Sequence, residues 1–196
     1  MSRWAADARQ RLESAALDLF EQNGYEQTTV AQIADHAGLN RATFFRHFSD
    51  KREVLFGGED RLATLFSDGI RSAPSDASIS ELLQAALLAA SAAMTPEQRA
   101  RVAQRILVLS TNTEVQERGL LKHARISRSI RAALSERGAD DVAARLAAEV
   151  GMLAFSLALE RWMTTDDQPF AAHAVAALRD VEERAVRLDA TSHQSA

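Results

Sequence analysis

Between Gly38 and Arg52 the chain carries Arg41, Arg46, Lys51 and Arg52 against a single carboxylate, Asp50. Fixed cations so concentrated suit the oxygens of phosphate groups, which they hold as point charges or planar forks. Residues 1–57 as a whole hold seven basic and eight acidic side chains, so the positive charge is local. Such a distribution fits clamping at one site better than general affinity for polyanions. Catalysis finds little support. The five histidines, His36, His47, His123, His173 and His193, show no His-Glu-x-x-His or similar ligand spacing. There is no cysteine and no phosphate-cradling glycine loop. No enzyme activity, metal site or cofactor is expected.

The cationic stretch needs elements that position it. The pattern predicts an all-α chain of about nine helices, over 5–22, 30–37, 41–47, 51–71, 79–93, 97–111, 114–136, 140–164 and 168–188. The first puts Leu12, Ala15, Ala16, Leu19 and Phe20 on one face and ends at Asn23-Gly24. The next opens on Thr29, with Gln32 completing a capping box. Val30, Ile33, Ala34 and Ala37 form its buried side. Gly38 turns the chain, Leu39 plugs the core, and Asn40 caps a short third helix from Arg41 to His47. Phe44 and Phe48 read as its inward anchors. Asp50 caps the fourth helix, with Glu53 at its N3 position. A short helix projecting from a two-helix elbow is the geometry that enters the DNA major groove.

The stretch TTVAQIADHAGLNRATFFRHFSDKREVL, residues 28–55, resembles the DNA-binding signature of the TetR family of bacterial repressors. The matching residues are Thr29, Ile33, Ala34, Ala37, Gly38, Leu39, Thr43, His47, Phe48, Lys51 and Leu55. The lead-in, with Leu19, Phe20, Gly24 and Tyr25, is similar as well. Asn40 stands where the family usually has a Ser cap, and Phe45 where it has a Tyr whose hydroxyl meets a phosphate. One hydrogen bond of that kind is worth about 1 kcal/mol, so its loss leaves DNA binding in place. The resemblance implies that Thr29 and Lys51 meet phosphates, each from a helix N-terminus, and that His47 does likewise. Arg41 and Thr43 would reach base edges, with Arg41 best suited to guanine. Gln32 adds a contact. The DNA-facing set is therefore Thr29, Gln32, Asn40, Arg41, Ala42, Thr43, Phe45, Arg46, His47 and Lys51. Read one residue at a time, each of these charges is equally consistent with a solvated surface.

The family also implies a two-fold dimer on a palindromic operator and a small apolar or amphipathic effector sensed in the helical body. Helix 140–164 is apolar on two faces: Val142, Leu146, Val150, Leu153 and Leu157 on one, Met152, Phe155, Leu159 and Trp162 on the other. A helix needing two cover layers is central to a bundle or to a dimer. Small residues Ala147, Gly151 and Ala154 would allow close approach. Paired with helix 168–188, it would build a four-helix interface between subunits; a purely intramolecular core helix is the other reading. Met94, Leu109, Met152, Phe155 and Trp162 are candidates to line an effector pocket, and equally ordinary core. Arg118, Lys122, Arg125, Arg128 and Arg131 form a drifting stripe on helix 114–136. The region loosely resembles repressors that answer to fatty acyl-CoA thioesters, whose phosphates such a stripe would meet; a solvated helix face is the plainer reading.

The expected organisation is a helix-turn-helix domain over 1–56, a helical effector-binding and dimerisation domain over 57–189, and a polar, disordered tail over 190–196. The expected function is a ligand-responsive repressor binding duplex DNA as a homodimer, with the fourth helix as lever between the two parts. The alternative is a helix-turn-helix used for protein contacts without a true operator. A net charge of −4 argues against non-specific coating of nucleic acid. Residues 1–10 are polar where a leader would be apolar, and no run of about 18 apolar residues suggests a membrane span. A cytoplasmic location without membrane contact is expected.

Overall fold

The computed structural model describes residues 3–56, 59–165 and 168–190. Among them are nine α-helices: α1 (Arg3–Asn23), α2 (Val30–His36), α3 (Arg41–His47), α4 (Glu59–Ser72), α5 (Ile79–Ser91), α6 (Arg99–Thr111), α7 (Thr113–Glu136), α8 (Asp141–Thr164) and α9 (Phe170–Ala190). The fold class is all-α. Most of the expected tail, residues 191–196, lies outside the described residues.

The helix expected over 51–71 is two elements. A 3-10 turn spans Glu53–Phe56, and α4 starts at Glu59. Asp50 does cap, its Oδ1 accepting from the Glu53 amide at 2.9 Å, but what it caps is the 3-10 turn. Val54, Leu55 and Phe56 are all buried. All three lie within this single 3-10 turn, which is enclosed on every side. Gly57 and Gly58 follow in the sequence, the poorest helix formers after proline.

The chain forms two compact units. The first comprises residues 1–58 and 98–122, the second 59–97 and 123–196. The first therefore extends beyond the 1–56 segment expected to stand alone. α6 packs on α1, and Val108 and Val115 join the core of Leu12, Phe20, Ile33, Phe44, Phe48 and Leu55. α4 belongs to the second unit.

In the second unit α5 packs against α4, α8 and α9, and α8 pairs along α9. Its centre is aromatic. The Phe155 ring lies 5.3 Å from Phe66 and 5.2 Å from Phe170, and Trp162 meets Phe170 edge-on at 5.6 Å. α8 is long and apolar enough, by length and composition, to cross a membrane, which the sequence pattern did not suggest. Its two apolar faces account for the surplus. Met152, Phe155 and Trp162 are buried, whereas Val142, Leu146 and Leu153 are exposed. The small residues Ala147, Gly151 and Ala154 lie on the buried side. A Cβ at Gly151 would come within 3.1 Å of Leu83 on α5, so the close approach they permit is within the subunit.

Arg137, unremarked in the sequence, ties the end of α4 to α7. Its Nη1 donates to the carbonyls of Ile70 and Ala73, both at 2.9 Å, and its Nη2 to that of Pro74. Gly69 sets how near α4 and α5 approach. A Cβ there would stand 2.6 Å from the Ala85 carbonyl oxygen and 2.8 Å from the Ala86 Cα. Both are backbone atoms and cannot swing aside. Gly69→Ala is therefore expected to cost about 1–3 kcal/mol, read as a lowered urea midpoint by circular dichroism with unchanged slope. An unaltered midpoint would show that the two helices separate freely.

Candidate DNA interface

The elbow is built from the backbone outward. The Thr29 hydroxyl accepts from the Gln32 amide at 3.3 Å, and Gln32 Oε1 accepts from the Thr29 amide at 2.8 Å, completing the capping box. Gly38 takes a φ of +64°, the left-handed region where a side chain would be strained. Arg11 on α1 donates through Nη2 to the Ala37 carbonyl at 2.5 Å, fastening the turn to the first helix. Asn40 Oδ1 then accepts from the Thr43 amide at 2.8 Å and starts α3.

α3 sorts its residues by face. Phe44 and Phe48 are buried, their rings 5.5 Å apart, while Phe45 is 51% exposed and meets Phe44 edge-on. Arg41, Ala42 and Arg46 are exposed with it; Thr43 and His47 are half-buried. Positions 41 and 45, and 42 and 46, are each four apart, so they form one contiguous outer surface. Thr29, Gln32 and Asn40 are exposed at the starts of α2 and α3.

His47 has a buried Nε2 without a hydrogen-bond partner. Burial, and then the charges of Arg46 and Arg9, hold its pKa below the usual imidazole value. The ring is therefore neutral at neutral pH, and this nitrogen does not face outward as a phosphate contact would require.

Lys51 differs from expectation. It opens no α-helix, and its Nζ donates to the Tyr25 carbonyl at 2.7 Å while lying 4.2 Å from the centre of the Tyr25 ring. Its charge is used to hold the chain between α1 and α2. Thr28, missed in the sequence, does related work. Buried, it donates its hydroxyl to the carbonyls of Gly24 at 2.8 Å and Leu19 at 3.2 Å. The signal was its place just before the capping threonine, where a hydroxyl can reach back to the end of α1.

The residues expected around an effector are largely core. Met152, Phe155 and Trp162 are buried in the second unit and Met94 is half-buried there; Leu109 packs against the core of the first unit. Of the arginine stripe, Arg131 pairs with Asp141, Arg125 and Arg128 are at least partly exposed, Lys122 falls in the first unit, and the Arg118 side chain lies outside the described residues. Among the described residues, no three histidine or carboxylate side chains gather as a metal site would need.

A buried two-helix elbow presenting a capped third helix defines the helix-turn-helix class. Residues 13–56 match the family of bacterial regulatory proteins, tetR family. The chain is 52% identical over 46 residues to the HTH-type transcriptional regulator TcmR of Streptomyces glaucescens, a match covering 24% of this chain and 20% of that protein. It thus spans only about a fifth of that relative's length. The whole fold is similar to the TetR transcriptional regulator from Nitrosomonas europaea, at a TM-score of 0.60 and 17% identity over 90% of this chain and 97% of that one. It is similar also to FadR from Bacillus subtilis in complex with stearoyl-CoA, at 0.58 and 16% over 88% and 96%. Residues 13–56 thus carry the tetR-family motif, and the chain as a whole has a fold similar to that of TetR-family regulators.

Adjacent phenylalanines separate support from display. Phe44→Ala should cost about 3–5 kcal/mol of stability, and Phe45→Ala less than about 0.5 kcal/mol. Urea unfolding of both variants checks this; equal losses would mean that α3 is rotated from the orientation described.

Proposed function

We propose that the chain is a ligand-responsive transcriptional repressor that binds a palindromic operator as a homodimer in the cytoplasm. The observation that carries this reading is the outer face of α3, where Arg41, Ala42, Phe45 and Arg46 stand exposed on a helix whose other face is anchored in a core. The exposed guanidiniums are suited to guanine edges and phosphates. Thr29, Gln32 and Thr43 supply polar contacts at its margin. Phe45 offers an apolar surface to a thymine methyl in place of a phosphate hydrogen bond.

A single half-site reader binds weakly, and two-fold pairing matches an operator with recognition helices about 34–36 Å apart. The exposed stripe on α8 supports such pairing: Val142 and Leu146 are 75% and 66% exposed, with Leu153 continuing the line. On α9, Val186 is exposed as well. Apolar surface of this extent gains by being covered. Leu146→Glu with Leu153→Glu is expected to convert a dimer into a monomer in sedimentation equilibrium while leaving helical content intact. A wild-type-like dimer from that variant would remove α8 from the interface.

Effector binding in the helical body would favour an arrangement of the dimer that no longer fits the operator, by as much as the ligand's affinities for the two arrangements differ. FadR from Bacillus subtilis, of similar fold, is described in complex with stearoyl-CoA, so the fold accommodates a sizeable ligand.

In vitro selection of bound duplexes tests the main reading, and a palindromic consensus is the expected result. On that duplex, Arg41→Gln with Arg46→Gln should weaken binding and lower the salt slope by about one for each phosphate no longer neutralised. Equal affinity and slope in wild type and variant would instead favour a helix-turn-helix used for protein contacts.

A further inference from the structure

Phe45 is exposed on a helix that buries its other phenylalanine, Phe44, completely. The two rings lie 5.5 Å apart at an interplanar angle of 82°. An edge-to-face contact on a buried neighbour favours one orientation of the outer ring. Ala42 lies three positions earlier and Arg41 four, so both adjoin Phe45 on the helix surface, and both are exposed. Arg46, at the next position, is exposed as well. α3 carries no carboxylate. Its outer face therefore combines a small apolar surface, the Phe45 ring with the Ala42 methyl, and two guanidiniums beside it.

A protein partner asks for a broader apolar surface than one ring and one methyl. The guanidiniums favour a polyanion, and the apolar group that duplex DNA offers in its major groove is the C5 methyl of a pyrimidine. We infer that Phe45 and Ala42 form a specificity element for that C5 substituent in each half-site, so that 5-methylcytosine is accepted there as thymine is, while cytosine and uracil are disfavoured. This rests on reading α3 as the DNA-contacting helix. It adds that cytosine methylation, which changes neither base pairing nor the phosphates, alters operator affinity. The methyl has no charge and makes no hydrogen bond, so its contribution is the removal of apolar surface from water. Burying one such carbon corresponds to about a fourfold change in affinity.

Fluorescence anisotropy of the full chain on the selected duplex tests this, with single pyrimidines changed in one half-site. Each thymine is replaced in turn by deoxyuridine, and each cytosine by 5-methyldeoxycytidine. Wild type should lose about fourfold where one thymine becomes deoxyuridine, or gain about fourfold where one cytosine is methylated. Phe45→Ala should bind every duplex more weakly and erase that difference. Arg46→Gln should weaken binding throughout and keep it. A merely structural role for Phe45 would lower every affinity alike and leave the methyl response in place. Wild type indifferent to the methyl at every pyrimidine of the half-site, or a response that survives Phe45→Ala, overturns the inference and leaves the regulator standing. A library that yields no bound duplex overturns the regulator reading and this inference together.

Discussion

A seven-residue helix does not persist in water, because nucleation costs more than so few hydrogen bonds return. α2 and α3 are both that short. All that α3 displays thus depends on Phe44 and Phe48 being buried against the first unit and on the caps at Thr29 and Asn40. Arg11 adds the remaining constraint by holding the turn at Ala37. With orientation fixed by apolar packing, the polar outer face is free to be chosen for what it touches.

The same division of labour recurs on α8. One helix carries the aromatic centre of the second unit on one side and an uncovered aliphatic stripe on the other. Small residues let α5 come close on the packed side, so the interior is dense without demanding bulk from every position. The uncovered stripe then owes nothing to the subunit's own core.

Much of this was legible in the sequence, for identifiable reasons. Caps, periodicity and Gly38 are local signals, and they placed eight of the nine helices within a few residues. The fourth failed because Asp50 with Glu53 three residues on signals a helix start equally well for a 3-10 turn, and Gly57-Gly58, which follow, were not weighed as a break. Packing was harder. That α6 joins the first unit depends on Val108 meeting residues nearly a hundred positions earlier, which no local pattern encodes. The two faces of α8 were separable by spacing, but which of them is covered was not. Met152, Phe155 and Trp162 read more readily as core than as a ligand wall, and their burial accords with core. Lys51 was expected to meet phosphate because a cation beside a DNA-binding helix suggests it; its bond to a backbone carbonyl, an equally good acceptor, has no local signal in the sequence.

That last interaction bears on how the protein can change over time. Lys51 is tethered chiefly to a main-chain oxygen, with Glu26's carbonyl a more distant neighbour at 3.4 Å. Every amino acid offers the same oxygen, so substitutions at position 26 leave the tether's chemistry untouched. Position 51 has no such freedom, since only a long flexible cation spans the gap. Position 26 can therefore drift in identity while Tyr25, Thr28 and Lys51 keep the bend between α1 and α2 in place.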